Sequence, residues 1–572
     1  MARPRSGKIH VGERRERRKN GDIYVYERTT AYNPETRKTV TVSERLKGKI
    51  KAGTDEIVAT RPKRKKGEIL VTEVATRKHT GTTDILQWAG SFSGIDDAAN
   101  GALERGDAEK AISLARYLVA TSGESLTRLE SWQVMHELPY AEGISEDVYG
   151  DLFERLGRNE SGMQMYFTAR AQTLSTCPVI AFDSTTISTY SEGQTEARQG
   201  FNKDHDGLNT IKLLTLYSVR DREPIAFAKQ PGNVPDVISI ENALSQLKCL
   251  GVTRPTIVTD NGYYSQENMT QFVRKNMKFL MLVDPEVKWV RQCVDSLRPT
   301  LDTMSSVCPF DVSVHGASMT IEHDFPFVRQ RSRGGIAAGE EETITRRVQV
   351  HVFHSFAHAT KRRQAFESSL LELKKQLEDG QTEFSEAAQQ RIKKYFILEK
   401  RGRGGQLKVS FNEKVLAEKL KYFGYFALVG NQPMETFEAL ENYRQREKIE
   451  EAFADQKGML GGRRPRVWHP DSLKGRLFVQ FMALGYTCFI RKRLKDLQDG
   501  LARDAKSLTK EQFEQEKKLA QWLEDHSLAQ IMDWFDCIET TTVHTRAGEM
   551  RWSTESVARD RMLLQRLGVI DE

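Results

Sequence analysis

Runs of apolar and β-branched residues alternate with polar turns through the middle of the chain. Residues 178–183 and 256–260 are two such runs, and each ends in an aspartate, Asp183 and Asp260. Short runs of this kind predict buried β-strands, here with a carboxylate where each strand ends. The same patterning predicts further strands at 210–219, 223–229 and 278–283, and helices at 236–250 and 265–277. Strands mixed with helices in this order predict an α/β fold.

A later segment, 443–457, has helical periodicity. If it forms one α-helix, Tyr443, Arg446, Glu450 and Lys457 fall within an arc of roughly 60°, beside a separate apolar stripe. Charged residues at this spacing are often no more than solvated ion pairs. The spacing alone therefore leaves two interpretations open, a surface ion-pair stripe and a binding face.

The carboxylates of Asp183, Asp260 and Glu450 would form one binding site if the fold brings them together. Ligands of open α/β sheets gather at the carboxyl ends of strands, where Asp183 and Asp260 are predicted, and a helix could bring Glu450 there. Clustered carboxylates repel one another unless a cation neutralises them, and hard divalent cations prefer oxygen ligands. Two such ions suit phosphoryl transfer. The alternative is that each aspartate is only a turn former or a helix cap.

Several stretches, taken together and in order, carry a resemblance to a known family. They are 181–186, 200–205, 230–236, 258–264, 443–457 and 464–469. With them, the chain resembles a DDE transposase of a bacterial cut-and-paste insertion sequence, in the subgroup with a Y-x2-R-x3-E-x6-K signature. The resemblance covers roughly residues 177–490, and the combination is specific where each motif alone would be weak.

The resemblance implies a site and a reaction. Asp183, Asp260 and Glu450 would be the catalytic, metal-binding triad, holding two Mg²⁺ ions, with Mn²⁺ as a substitute. Tyr443, Arg446 and Lys457 would hold the phosphates of a DNA end. The enzyme would bind its element's ends, cleave them by metal-dependent hydrolysis and join the 3′-hydroxyls to target DNA, with hairpin ends as a family expectation.

The resemblance also implies partners. These are double-stranded DNA, as terminal inverted repeats and as target, and a second copy of the chain in a paired-end homodimer. Two alternatives stay open: an RNase H-like nuclease or resolvase without strand transfer, and a DNA-binding protein derived from a transposase.

The expected architecture is an RNase H-like catalytic core interrupted by a β-rich insertion, because the interval from Asp260 to Glu450 is too long for one connection. The predicted regions are a basic DNA-binding region with a β-hairpin (1–83), a helical domain (84–176) that binds DNA or, as the alternative, is a structural spacer, the core (177–284 and 438–500), the insertion (285–437) and a mostly helical C-terminal region with a share in dimerisation (501–572). In the insertion, Trp289 is a candidate for stacking on a displaced base, with core packing as the alternative.

Charge is distributed unevenly along the chain. The net charge is +7, but residues 1–80 hold 22 lysines and arginines against 10 aspartates and glutamates. This concentration favours nucleic-acid binding, and a solvated tail is the alternative for the first 20 residues. The candidate DNA contacts are Arg14, Arg15, Lys63, Arg64, Lys65 and Lys66. Alternation in 22–42 predicts the hairpin.

Cysteine usage and hydropathy bear on location. The six cysteines are scattered without a C-x-x-C pair, which favours neither disulfides nor zinc and is typical of a reducing cytoplasm, here bacterial and close to the nucleoid. No secretory signal is recognisable at the N-terminus. The longest apolar segment, 477–490, is too short to span a bilayer and predicts a buried helix, so we expect no membrane contact.

Overall fold

The computed structural model shows a mixed α/β protein, as predicted. The chain forms two compact units, one of residues 1–75 with 543–550 and one of residues 76–542 with 551–572. The residues that the structure describes are 9–33, 36–58, 74–175, 178–200, 202, 206–252, 254–329, 339–400, 407–458, 460, 467–503, 509–545, 548–554 and 556–570.

The first unit contains an antiparallel four-stranded sheet. Its strands, in spatial as well as chain order, are β1 (Ile9–Arg17), β2 (Ile23–Asn33), β3 (Lys38–Ile50) and β4 (Ile57–Val58). The predicted hairpin is confirmed, since β2 pairs with β3 up to Asn33 opposite Lys38. The basic run before it is itself a strand, β1, paired with β2 along its whole length. Most side chains of β1 are exposed, which leaves its arginines on the surface of the sheet.

Helices follow in the stretch predicted to be helical. After β5 (Val74–His79) come α1 (Gly81–Ser93), α2 (Ile95–Ala102), α3 (Arg105–Ala120), α4 (Leu129–Met135), α5 (Glu146–Arg158) and α6 (Glu160–Gln172). Their buried apolar residues, such as Leu114 and Phe167, belong to the same hydrophobic core as the main sheet. The helices are therefore packed as part of one structure with that sheet.

The central elements agree with the predicted order. They are β6 (Val179–Thr189), β7 (Asn209–Ser218), β8 (Glu223–Pro231), α7 (Asp236–Cys249), β9 (Thr256–Thr259), α8 (Gln266–Arg274) and β10 (Lys278–Val283). Strand β7 is antiparallel to β6 and β8, whereas β9 is parallel to both β6 and β10. Strands β6, β7 and β9 are buried almost throughout, as their near-continuous apolar and β-branched sequences require.

The segment 285–437 adds strands to the same sheet. Its elements are α9 (Lys288–Leu297), β11 (Val307–Cys308), β12 (Asp311–Val328), β13 (Glu341–Ser355), α10 (Phe356–Glu378), α11 (Glu386–Tyr395), β14 (Phe396–Lys400), β15 (Leu407–Phe411), α12 (Glu413–Leu420) and β16 (Tyr425–Gly430). The nine-stranded order is β11-β12-β13-β16-β10-β9-β6-β7-β8. In the described part of this segment, β14 and β15 form a separate two-stranded sheet, and Phe396 of β14 belongs to a small apolar cluster with Leu373.

The remaining elements complete the second unit and return to the first. They are α13 (Thr436–Arg444), α14 (Glu447–Lys457), α15 (Pro470–Arg503), α16 (Lys510–Asp525), α17 (Leu528–Asp536), β17 (Glu539–Thr545), β18 (Gly548–Ser553) and α18 (Ala558–Leu567). The predicted buried helix at 477–490 is confirmed as the middle of α15, which packs against α3, α5 and β8. Among the described residues, no helix combines the length and apolarity needed to cross a membrane.

Candidate functional site

Two neighbouring strands present the aspartates. Asp260 directly follows β9, as predicted, and its Oδ1 accepts a 2.8 Å hydrogen bond from the backbone N–H of Asn261. The parallel register of β6 and β9 pairs Ala181 with Val258. Continued for two residues, this register places Asp183 level with Asp260, one strand apart.

The prediction that a strand ends at Asp183 is wrong. Strand β6 continues to Thr189, and Asp183 is its fifth residue. The Ser and Thr residues that follow remain paired with β7 and are buried. Their hydroxyls find partners inside the protein, for example Ser184 Oγ, which donates to Asp236 Oδ1 at 2.6 Å. A polar run can therefore continue a buried strand when its hydrogen bonds are satisfied.

The prediction of one helix through 443–457 is also wrong. Helix α13 ends at Arg444 and α14 begins at Glu447, with Arg446 between them. The Arg446 N–H bonds to the Tyr443 carbonyl at 3.0 Å, a three-residue spacing that tightens the chain as in a 3₁₀ turn. Gln445 and Arg446 keep right-handed helical dihedral angles, and the Arg446 side chain still reaches the three acids.

Arg446 joins the three acids. Its guanidinium lies 3.5 Å from Asp183 Oδ2 and 3.6 Å from Asp260 Oδ2. It also donates to Glu450 Oε1 at 3.1 Å. Its side chain is only 6% exposed, against 58% for Glu450. We call Asp183, Asp260, Glu450 and Arg446 the acid site.

Tyr443 completes this cluster from the end of α13. Its hydroxyl donates to Asp260 Oδ1 at 3.0 Å, and the Arg446 guanidinium lies 5.4 Å from its ring centre. Burial and the neighbouring Asp260 carboxylate raise the pKa of Tyr443, although Arg446 opposes them, so the phenol stays a neutral hydrogen-bond donor. Burial alone would lower the pKa of Arg446, but Tyr443 and the three carboxylates raise it above its ordinary value, so the guanidinium stays charged.

The donor set of the acid site fits hard divalent cations. Three carboxylates face one guanidinium, which leaves an excess of negative charge, and carboxylate oxygens are the ligands that Mg²⁺ and Mn²⁺ prefer. Ligand atoms of the three acids do not all lie within 4.8 Å of one another in the described part of the chain, because the guanidinium lies between them. Arg446 Nε and NH1 are buried without a hydrogen-bond partner, so donors remain available for an anion.

The other predicted residues lie in varied settings. Lys457 is the last residue of α14, about 10 Å along the helix axis from Glu450. Trp289 lies on α9, with its ring 4.5 Å from the His323 ring and its Nε1–H donating to the Tyr264 hydroxyl at 3.3 Å. These contacts are typical of a packed tryptophan, the alternative weighed for it.

The basic candidates lie in the first unit. Arg14 and Arg15 are on β1, where Arg14 pairs with Glu16 and Glu44, and Arg15 lies 3.7 Å from Glu13. Both remain about half exposed. The run Lys63, Arg64, Lys65 and Lys66 lies outside the described residues.

Sequence reasoning missed a second polar group beside the acid site. Asp236 Oδ1 accepts hydrogen bonds from Ser184 Oγ at 2.6 Å and from Lys212 Nζ at 2.8 Å, and Lys212 is buried. Burial, followed by the charges of Asp183 and Asp236, raises the pKa of the nearby Tyr263. The signal was present, since Asp236 ends one of the motif stretches. This group supports β6 just beyond Asp183.

Comparison with known proteins identifies the family of this region. The family model described as "Transposase DDE domain" matches residues 175–485, more than half of the chain and all three acids. The chain belongs to the transposase DDE domain family. DDE transposase domains generally use divalent metal ions, in agreement with the donor set of the acid site.

Two further comparisons add little. A solved structure of the piggyBac transposase synaptic complex with hairpin DNA covers 80% of this transposase and 76% of that chain, at 9% identity and a TM-score of 0.33. No curated protein matches the chain.

Proposed function

We propose that this DDE transposase binds the ends of its own insertion sequence, cleaves them by metal-dependent phosphodiester hydrolysis and joins the 3′-hydroxyl ends to target DNA. The observation that carries the proposal is the meeting of Asp183, Asp260 and Glu450 at one buried guanidinium, inside the region that matches the family. A site for surface ion pairs alone would not bury the cation.

The three carboxylates would hold two Mg²⁺ ions, or Mn²⁺ in their place. When bound, such ions activate an attacking oxygen and stabilise the leaving oxygen of an in-line displacement. Asp183 is held rigidly within a paired strand, whereas Glu450 is exposed on a helix beside an interruption. The strand aspartates therefore fix the position of the site, and Glu450 is the acid with most freedom to adjust.

Arg446, Tyr443 and Lys457 would bind the phosphates of the DNA end. Arg446 offers two buried N–H groups without hydrogen-bond partners beside the acids, and a guanidinium suits a phosphate oxygen. Tyr443 keeps its proton and so can donate only one hydrogen bond at a time, here to Asp260. These contacts carry no base sequence information and would position any DNA strand alike.

The other regions receive roles consistent with their surfaces. Residues 1–83, with Arg14 and Arg15 on an exposed strand, would contact DNA, and so would the helices of 84–176. The core of 177–284 and 438–500 would be RNase H-like, a mixed sheet flanked by helices, and the segment 285–437 would help to hold the cleaved end, with Trp289 as its candidate base contact. Residues 501–572 would contribute to a paired-end dimer. We further propose a bacterial element of the Y-x2-R-x3-E-x6-K subgroup and hairpin intermediates.

One set of reactions tests the proposal. The DNA that flanks the coding gene is searched for an inverted repeat, and a labelled duplex carrying that repeat is incubated with the full chain and Mg²⁺. We expect cleavage at the repeat boundary, a hairpin band on a denaturing gel, and insertion of pre-cleaved ends into a supercoiled plasmid. Cleavage without joining would instead identify a nuclease or resolvase, and binding without cleavage would identify a DNA-binding protein.

A further inference from the structure

A second cluster of ionisable side chains lies away from the acid site. It joins segments remote in sequence: His79 ends β5, His136 follows α4, and Asp536 ends α17. One ligand atom of each of these residues lies within 4.8 Å of those of the other two, and no other such group of three occurs among the described residues. We call these three residues the histidine site.

Both imidazoles are held at Nδ1 by backbone carbonyls. His136 Nδ1 lies 2.7 Å from the Trp132 carbonyl, and His79 Nδ1 lies 2.7 Å from the Asp536 carbonyl. A carbonyl oxygen only accepts hydrogen bonds, so each Nδ1 carries the proton. In a neutral imidazole, Nε2 then presents a lone pair. This arrangement, Nδ1–H to a carbonyl and Nε2 free to ligate, is typical of metal-binding histidines.

Both Nε2 atoms face carboxylates. His136 Nε2 lies 2.9 Å from Asp536 Oδ1, and His79 Nε2 lies 3.8 Å from Glu539 Oε1. A lone pair and a carboxylate repel each other unless a proton or a metal ion lies between them. One cation among the Nε2 atoms and the carboxylates satisfies both histidines at once.

The surroundings keep the site rigid. The His136 side chain is 6% exposed, and its ring stacks on Trp132 with centroids 3.6 Å apart, while the His79 ring stacks nearby at 5.1 Å. Glu539 binds Arg77 through Oε2, which leaves Oε1 directed towards His79. Glu539 can therefore serve as a fourth ligand without losing its arginine.

The ligand chemistry selects the metal. Imidazole nitrogens with carboxylate oxygens suit Zn²⁺, which binds them at about 2.0–2.2 Å in a tetrahedron, whereas Mg²⁺ prefers oxygen alone. Tetrahedral bonds of that length place neighbouring ligand atoms roughly 3.3 Å apart. The spacing within the histidine site needs only small side-chain adjustments to reach that value.

We propose that His79, His136 and Asp536 bind one Zn²⁺ ion, with Glu539 as the fourth ligand. The ion fastens the start of the helical stretch to the segment after α17, where Thr80 N–H already bonds to the Ile538 carbonyl and Thr80 Oγ1 to Thr540 Oγ1. Its role is structural, since all four ligand positions are supplied by the protein. The site is independent of the acid site and of the proposed reaction.

Metal analysis of the full-length protein tests the proposal. The protein is stripped with a chelator, supplied with Zn²⁺ and desalted, in a background of Asp183→Asn with Glu450→Gln so that the acid site does not retain zinc. We expect one zinc per chain, visible tetrahedral ligand-field bands when Co²⁺ replaces it, and a higher Tm with Zn²⁺ than without.

Variants assign the ligands. His79→Gln changes the more exposed histidine and should weaken zinc binding at least about tenfold and abolish the zinc-dependent rise in Tm. Asp536→Asn should do the same, and circular dichroism shows whether each variant is folded. The control His323→Gln, which changes a histidine packed on Trp289, should bind zinc normally. Equal zinc content in His79→Gln and the parent, or no stoichiometric zinc in the parent, would overturn the proposal and leave a metal-free ion pair of His136 with Asp536.

Discussion

The acid site and the histidine site lie in the same unit and balance their charges by different means. In the acid site, a buried guanidinium contacts three carboxylates, so the cluster carries its own counter-charge. In the histidine site, backbone carbonyls fix two imidazoles whose other nitrogens face carboxylates. The first arrangement can persist while ions bind and leave, as the proposed reaction would require. In the second, imidazole lone pairs face carboxylates, and a permanently bound cation would remove this repulsion.

The largest expected effect is on DNA cleavage and concerns the acid site alone. Glu450→Gln removes one proposed metal ligand and should lower DNA cleavage by about a thousandfold or more, because the substituted amide no longer carries the charge that binds the cation. End binding, measured by gel shift, should remain. The exposed Glu447→Gln on the same helix is the matched control and should cleave normally. Normal cleavage by Glu450→Gln would remove that residue from the site.

Removal of the internal cation should destabilise the acid site strongly. Arg446→Ala leaves the largely buried Asp183 carboxylate without its cation, which costs on the order of 3 kcal/mol of unfolding free energy, whereas Asp260 and Glu450 are more exposed and contribute less. Thermal unfolding should show a lower Tm, partly restored by Mg²⁺. Arg444→Ala, which breaks the more exposed pair with Asp311, should lower Tm much less. Equal losses in both variants would mean that Arg446 is no special counter-charge.

His351 is a third kind of buried ionisable group, because among the described residues it has neither a counter-charge nor a proposed metal ion, and it stays neutral. His351 lies in β13 against Ser318, and burial lowers its pKa to about 4. A histidine with a depressed folded-state pKa stabilises the protein above its ordinary pKa of about 6.5 and loses that contribution as pH falls towards 4. The loss over this window is at most about 3 kcal/mol.

The measurement is the free energy of unfolding from pH 7 to pH 4. His351→Gln should flatten this acid-side decline relative to the parent, because glutamine does not titrate. The exposed His358→Gln should retain the full decline. If all three proteins decline in parallel, burial of a neutral His351 does not contribute to acid sensitivity.

The smallest expected effect concerns the hydroxyl on Asp260. Tyr443→Phe removes one hydrogen bond and keeps the ring beside Arg446, so the change should cost about 1 kcal/mol, or about fivefold in end binding or cleavage rate. Binding and single-turnover cleavage assays measure it. A loss as large as that of Glu450→Gln would give Tyr443 a role beyond positioning Asp260 and the DNA.

Much of the core was predictable because its signals are local. Strand β9 ends at Thr259, directly before Asp260, as its apolar run predicts, and β7, β8 and β10 follow their patterns closely. The continuation of β6 beyond Asp183 was not predictable from polarity, since its hydroxyls are satisfied by distant partners such as Asp236. The interruption at Gln445 and Arg446 left no sequence signal, because good helix formers occupy it and their dihedral angles stay helical.

The features that could not be predicted from the sequence depend on long-range contacts. The pairing of β10 with β16, which joins the segment 285–437 to the core sheet, depends on register between distant strands. Sequence reasoning predicted that the three acids meet, but it did not predict that the Arg446 guanidinium contacts all of them. The histidine site escaped notice because residues 79, 136 and 536 form no motif. Only the fold brings them within 4.8 Å.

A ligand exchange at one acid tests the central claim most directly. Asp260→Cys replaces a carboxylate by a thiolate, which binds Mg²⁺ poorly and Mn²⁺ better. The account predicts that DNA cleavage is lost in Mg²⁺ and recovered in Mn²⁺. The control Asp284→Cys, changed at the corresponding place after β10, should cleave equally with both ions. Full cleavage by Asp260→Cys in Mg²⁺ alone would contradict a metal-ligating role for Asp260 and, with it, the proposed phosphoryl-transfer site.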